Sequence, residues 1–261
     1  LELKIFLITN TLKLIMKVYA IIQKKVKELF YKLGIDIKRI SVAQDQTIRL
    51  IKILTTNGVN LIFDIGANSG QFGKELRKNG YSGKIVSFEP LSKQYEKLCM
   101  NAKNDKFWQI IPRCAVGDND GNIEINISGN SGASSSILEM LDTHINAAPH
   151  TRNIGSETVP IKKLDSISSQ FISENDIIFI KIDTQGFEDQ VIMGGIETIK
   201  QATVLQLELS LIELYQDQKL FSEMINKVKS LGFELWGVDP AFIDSNTGRM
   251  LQADAVFLRS K

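Results

Sequence analysis

The sequence predicts an α/β fold: a doubly wound, mostly parallel sheet of about seven core strands, closed by an antiparallel terminal strand and preceded by a helical extension. Three observations carry this. Short, mostly apolar, β-prone runs, such as 61–65 and 176–182, read as strands buried on both faces of a sheet. Through most of the chain such runs alternate with segments of helical periodicity, and only the last two strands follow one another without a long helix. Acids and glycines collect where the runs end, which is where an open α/β sheet forms its ligand crevice.

The bulk composition sets bounds. A chain of 261 residues holds one large α/β domain with an appendage, or two small domains. A hydrophobic share of 43% with 23% charged residues is ordinary for a globular protein, and a net charge of +1 gives no general attraction to nucleic acid. Cys99 and Cys114 are too few for a disulfide framework and lack metal-ligand spacing, so buried free thiols in a reducing, cytoplasmic setting are expected. The chain opens on Leu1 rather than methionine, so the natural N-terminus is expected to lie upstream.

Residues 1–33 are apolar and basic, with lysines at 4, 13, 17, 24, 25 and 27 interrupting every apolar run. No run reaches the roughly 18 residues of a membrane span. No small-residue cleavage site follows, which argues against a secretory signal. Two readings stay open: a helix packing on the domain or a second subunit, and an interfacial helix touching anionic lipid. Residues 41–57 read as another helix, with Asn57 and Gly58 as its stop.

The stretch 61–73, LIFDIGANSGQFG, is a strand, a glycine-rich turn and the start of a helix. Such a unit offers backbone amides to a nucleotide-like ligand. The glycines stand at Gly66, Gly70 and Gly73, with Asn68 between, so GxGxxG is not met. Asp64, just before the first glycine, would repel a pyrophosphate and suits a ligand that brings a cation. S-adenosylmethionine (SAM) carries an ammonium and a sulfonium and no phosphate. The run 84–88 is the second strand, and Glu89 stands at its end before Pro90. An acid about 20 residues past the glycine turn is placed to accept hydrogen bonds from a ribose diol, in NAD and SAM sites alike.

Residues 91–102 are helical, and 107–111 read as a third strand broken at Pro112. Asp118 follows, either as an acceptor for an adenine amine or as a turn aspartate of GDNDG. Residues 121–128 alternate as a half-exposed strand, and 128–158 read as a long polar loop holding His144 and His150. Either histidine is a candidate base or substrate contact, or is simply solvated. Residues 159–164 read as an edge strand. The run 176–182 delivers Lys181 and Asp183 to its end, ahead of a helix that Gly194 and Gly195 terminate. Asp183 suits a base, a metal ligand or a helix cap, and Lys181 a buried pair with Asp183 or Glu208. Strands at 203–209, 233–238 and 253–258, with a helix at 220–231, complete the set.

Together these segments resemble the FkbM family of SAM-dependent methyltransferases. The resemblance covers residues 55–260 and is carried by FDIGANSGQFG (63–73), VSFEP (86–90), AVGDNDG (115–121), IKIDTQGFE (180–188) and TGRMLQADAVF (247–257). It implies the Rossmann-like, seven-stranded class I methyltransferase sheet over 41–261, with 1–40 as a helical extension. It implies Asp64, Gly66 and Asn68 at the methionine end of SAM, with Gly70 in the same turn, Glu89 at the ribose, Asp118 at the adenine, and Asp183 facing the acceptor. The family is associated with O-methylation of hydroxyls on sugars and secondary metabolites. Asp183 is then the first candidate for a catalytic base or divalent-metal ligand, and His144 the second. The fourth strand ends in Asp183-Thr184-Gln185-Gly186, with neither the Asn/Asp-Pro-Pro-aromatic run of base-amine methylating enzymes nor a cysteine nucleophile.

The expectation is an O-methyltransferase with a small-molecule or glycan acceptor and no nucleic-acid partner. Peripheral membrane contact through 1–33 and oligomerisation stay open. The rivals are an NAD-dependent oxidoreductase, an inactive SAM-fold binding protein, and an RNA methyltransferase weakened by the near-neutral charge.

Overall fold

A computed structural model describes residues 2–37 and 41–260; residues 1 and 38–40, part of the expected extension, and residue 261 lie outside the described residues. The chain forms two compact units, Leu1–Ile48 and Arg49–Lys261. The first holds one long helix, α1 (Glu2–Lys32). No helix among the described residues is long and apolar enough to cross a membrane. The helix expected from 41 starts later, as α2 (Gln46–Thr56), because Asp45 Oδ1 accepts the Ile48 amide at 2.9 Å and fixes the N-terminus there. Leu50, Ile53 and Leu54, spaced at three and four, form its buried face.

The second unit takes in α2 from Arg49 on and continues with β1 (Leu61–Ile65), α3 (Gln71–Lys78), β2 (Lys84–Phe88), α4 (Ser92–Ala102) and β3 (Trp108–Ile110). Then come β4 (Ala115–Val116), β5 (Gly121–Ser128), α5 (Asp142–Ala147), β6 (Asn153–Lys162) and α6 (Leu164–Ile167). The rest is β7 (Ile178–Ile182), α7 (Glu188–Met193), α8 (Ile196–Gln201), β8 (Ala202–Ser210), α9 (Phe221–Ser230), β9 (Phe233–Ile243) and β10 (Met250–Arg259).

Seven strands form one sheet in the order β3-β2-β1-β7-β8-β10-β9, and β10 alone runs antiparallel to both its neighbours. The final strand is thus inserted between β8 and β9 rather than added at the edge. All five residues of β1 and of β7 are buried, as both-face packing requires. One face carries Leu61, Phe63, Ile65, Ile180 and Ile182, and the other Ile62, Phe179, Val204 and Val256. Between β1 and β7 the winding reverses, so the crevice at the carboxyl ends of these two strands is where this topology offers a site.

Two expectations are corrected here. The segment read as an edge strand is β6, the middle of a separate three-stranded sheet ordered β4-β6-β5. Its Val159 and Ile161 are fully buried, pinned by β4 on one side and the antiparallel β5 on the other. The polar loop is also less irregular than its composition suggests, since residues 128–158 contain α5 and the first six residues of β6.

Candidate active site

The glycine-rich turn is shaped by the approach of β1 to β7. Gly66 has φ +81°, and a Cβ there would stand 1.9 Å from the Asp183 carbonyl oxygen, so only glycine lets the two strand ends meet. The Asp183 amide in turn donates to Ile65 O at 3.0 Å. Gly70, at φ +83°, lies under Leu98 and Trp108, which a Cβ would strike.

The amides of the turn are not offered outward. Gly66 N and Ala67 N donate to Phe88 O at 3.1 and 3.0 Å, and Gly70 N to Ala67 O at 2.8 Å. Asn68 N donates to Glu89 Oε2 at 2.8 Å, and Ser69 N to Asn68 Oδ1 at 2.7 Å. Five consecutive amides are thus used inside the protein. A phosphate arriving here would find none of them free, which is a physical reason for the missing dinucleotide signature.

Above the turn lies a cavity of about 310 Å³, within the range of small-molecule sites. Its polar lining includes Gly66, Asn68, Glu89, Lys181, Asp183 and Gln185, and its apolar walls include Phe88, Leu91, Val116, Ile125 and Phe187. Glu89 is 4% exposed and accepts the amides of Asn68 and Leu91, one on each oxygen. Each oxygen keeps a lone pair for a further donor. Burial pushes the Glu89 carboxyl up to about 7, against the pull of those two amides.

Asp183 is held on both sides. Lys181 Nζ donates to Oδ2 at 2.9 Å, and Gln185 Nε2 donates to Oδ1 at 2.9 Å. Burial alone would lower the Lys181 pKa, but Asp183 and Asp64 outweigh it and keep the ammonium charged. Gln185 also donates to Glu208 at 2.5 Å and accepts the Tyr215 hydroxyl at 2.9 Å. It sits at φ +55° in the left-handed region, with Gly186 following at φ +97°. Gln252 donates to Glu208 from the neighbouring strand at 2.9 Å. Burial, then Asp183 and Asp254, push Glu208 well above the ordinary carboxylate range. Nearby Glu188 is raised to about 7 by burial while it accepts the Thr184 and Gly186 amides.

The expected site residues therefore separate. Gly66, Asn68, Glu89 and Asp183 line one cavity. Asp64 lies below it: within β1 it is opposite Ser87 and Lys181, fully buried, accepting Ser87 Oγ at 3.2 Å and 4.0 Å from Lys181 Nζ. It reaches the cavity only through Lys181. Gly70 acts by packing and does not line the cavity. Asp118 sits half-buried in the turn between β4 and β5, also outside the lining.

His144 is corrected outright. It is 2% exposed on α5, edge-on to Tyr215 with ring centroids 5.3 Å apart, and 5.3 Å from the Phe242 ring. Burial drives its pKa down to about 4, so it is a neutral core imidazole and not a base at the cavity. An apolar neighbourhood formed by residues 70 and more positions away left no trace in the local sequence.

Among the described residues, no group of three or more His, Cys, Asp or Glu side chains is arranged to hold a metal ion. Cys99 and Cys114 are free, and Cys114 lines the cavity with its thiol pushed up to about 11 by burial. Sequence reading missed Gln185 as a hub, although a non-glycine residue before Gly186 at a strand end was a usable signal. It also missed Leu91, Ile125 and Ile137 as cavity wall, for which apolar character alone is no signal.

The fold and the cavity at its switch point define a Rossmann-like class I methyltransferase architecture. The family model described as the methyltransferase FkbM domain matches residues 64–235, and the chain belongs to that family. It is 25% identical over 191 residues to the 2-O-methyltransferase NoeI of Sinorhizobium fredii (strain NBRC 101917 / NGR234), covering 71% of this chain and 77% of that protein. Among solved structures it resembles the fibrillarin pre-rRNA processing protein of Methanococcus jannaschii, with a TM-score of 0.45 and 11% identity over 78% of this chain and 68% of that one. It also resembles a TehB-like SAM-dependent methyltransferase of Corynebacterium glutamicum, with a TM-score of 0.43 and 12% identity over 94% and 100% of the two chains.

Proposed function

We propose that this chain is a SAM-dependent O-methyltransferase acting on a hydroxyl of a sugar, glycan or secondary metabolite. The observation that carries the reading is one cavity at the β1/β7 switch point that joins a buried diol-accepting carboxylate, Glu89, to the Asp183–Lys181 pair. FkbM family membership and the O-methyl chemistry in the name of NoeI support it. The residues present fit the donor. Glu89 keeps a lone pair on each oxygen for ribose hydroxyls, and Leu91, Val116 and Phe187 offer apolar surface for a base. Asp183 and the ionised form of Glu89 are the carboxylates that line the cavity and would face a cationic ligand, with Lys181 already paired to Asp183.

Bound there, SAM would supply a methyl group already activated on a sulfonium. The protein's share is then orientation and removal of the hydroxyl proton. Lys181 and Gln185 fix Asp183 Oδ2 and Oδ1, so the carboxylate is held in one orientation, and we assign it the acceptance of that proton. The covering segment around Gly132, Ala133, Ser135 and Ile137 walls the cavity and is the proposed acceptor side. Ser136 ties it down by donating to Gln185 O at 2.7 Å.

The oxidoreductase alternative asks the turn to cradle a pyrophosphate, and its five paired amides weigh against that. Asp183→Asn tests the proposal: donor affinity by calorimetric titration should hold, while kcat on an accepted hydroxyl substrate falls by about 10²–10⁴. An unchanged kcat would remove Asp183 from the role of base.

A further inference from the structure

The helix α1 carries an apolar stripe that no described residue of its own unit covers. Leu12, Ile15, Tyr19, Ile22, Val26 and Leu29 recur at alternating steps of three and four and so share one face. All six are exposed, from 42% at Val26 to 61% at Tyr19. Leu14, Val18 and Ile21 widen the stripe along one side, equally exposed. Lys13, Lys17, Lys24 and Lys27 recur along the opposite side, while Lys25 and Lys32 stand at the apolar margin. The helix sequence holds seven lysines against two glutamates, and Glu28 is 3.9 Å from Lys24.

We propose that α1 lies flat on an anionic membrane surface, with the apolar stripe in the headgroup boundary and the lysines against lipid phosphates. At about 1.5 Å per residue the helix reaches roughly 46 Å along that surface. Its lysines bar it from crossing. Charge complementarity selects lipid over a second copy of the chain. Seven lysines and two glutamates leave the helix sequence at +5, and two copies packed stripe to stripe would set Lys25 and Lys32 of each at the seam with Glu28, already beside Lys24, as the acid within reach of them. A layer of anionic headgroups neutralises both sides, each lysine near it strengthening attachment about fivefold. The long lysine stems let the ammonium groups reach the phosphates while the stripe stays buried.

Flotation of the 261-residue chain with vesicles tests this, using phosphatidylcholine alone and phosphatidylcholine mixed with phosphatidylglycerol. The expected result is at least about tenfold preference for the anionic vesicles, lost in high salt. The triple change Lys13→Glu, Lys17→Glu, Lys24→Glu should abolish it. The pair Ile15→Gln, Ile22→Gln should also weaken it, which adsorption by charge alone would not. Circular dichroism of each variant checks that helix content is kept. Equal binding to both vesicle types, binding to neither, or a dimer in light scattering that anionic vesicles do not dissociate would overturn the proposal.

Discussion

At the scale of single residues, burial decides what each ionisable group does. Glu89 and His144 are both buried, and burial moves them in opposite directions because it disfavours charge on either. For Glu89 the consequence is functional. Only the ionised carboxylate offers acceptors on both oxygens, so donor affinity should weaken about tenfold between about pH 8 and pH 6. Titration calorimetry across that range, with Glu89→Gln giving a flat and weaker profile, is the check. For His144 the consequence is stability. Its folded pKa of about 4 lies below its ordinary 6.5, so the unfolded chain binds more protons and stability is lost as pH falls through that window. The loss approaches about 3 kcal/mol at the acid end. His144→Phe should flatten this acid limb in urea titrations and leave kcat within about twofold, since the imidazole packs against Tyr215 and Phe242 outside the cavity.

At the scale of elements, the site depends on how closely strand ends approach. Gly66 stands between β1 and β7, and Gly194 packs on the turn after β4, where a Cβ would lie 1.8 Å from Gly117 O. Gly66→Ala has no soft side chain to push aside, only backbone, and demands a positive φ from alanine. We expect a loss of at least about 2–3 kcal/mol in urea unfolding together with loss of donor binding. Wild-type stability in that variant would mean the strand ends can part without cost. The hub at Gln185 works at the same scale: its side-chain amide donates to Asp183 just past β7 and to Glu208 of β8 and accepts the Tyr215 hydroxyl, which also donates to Ser134 O.

At the scale of the whole molecule, the chain divides into a basic helical unit and an α/β unit with the cavity. The lining of the cavity comes wholly from the second unit. A variant lacking residues 1–40 is therefore expected to bind the donor with an unchanged Kd by calorimetry and to lose attachment to anionic vesicles. A large drop in donor affinity would mean that the extension supports the site.

The sequence by itself determined the sheet, the order of strand, turn and helix around Asp64, and the presence of Glu89 and Asp183 at strand ends. These are legible because each rests on a local pattern: a continuous apolar run, a glycine where φ must be positive, an acid one step past a strand. Only the tertiary structure decided which of these residues reach the cavity. Asp64 and Glu89 look equivalent in sequence, yet Asp64 is still within β1, buried between Ser87 of β2 and Lys181 of β7, whereas Glu89 stands just past β2 and lines the cavity. His144 lost its candidacy to Tyr215 and Phe242, partners brought from distant positions. Residues 153–162 became a central strand because β4 and β5 flank them, a pairing set by long-range register that no local window contains.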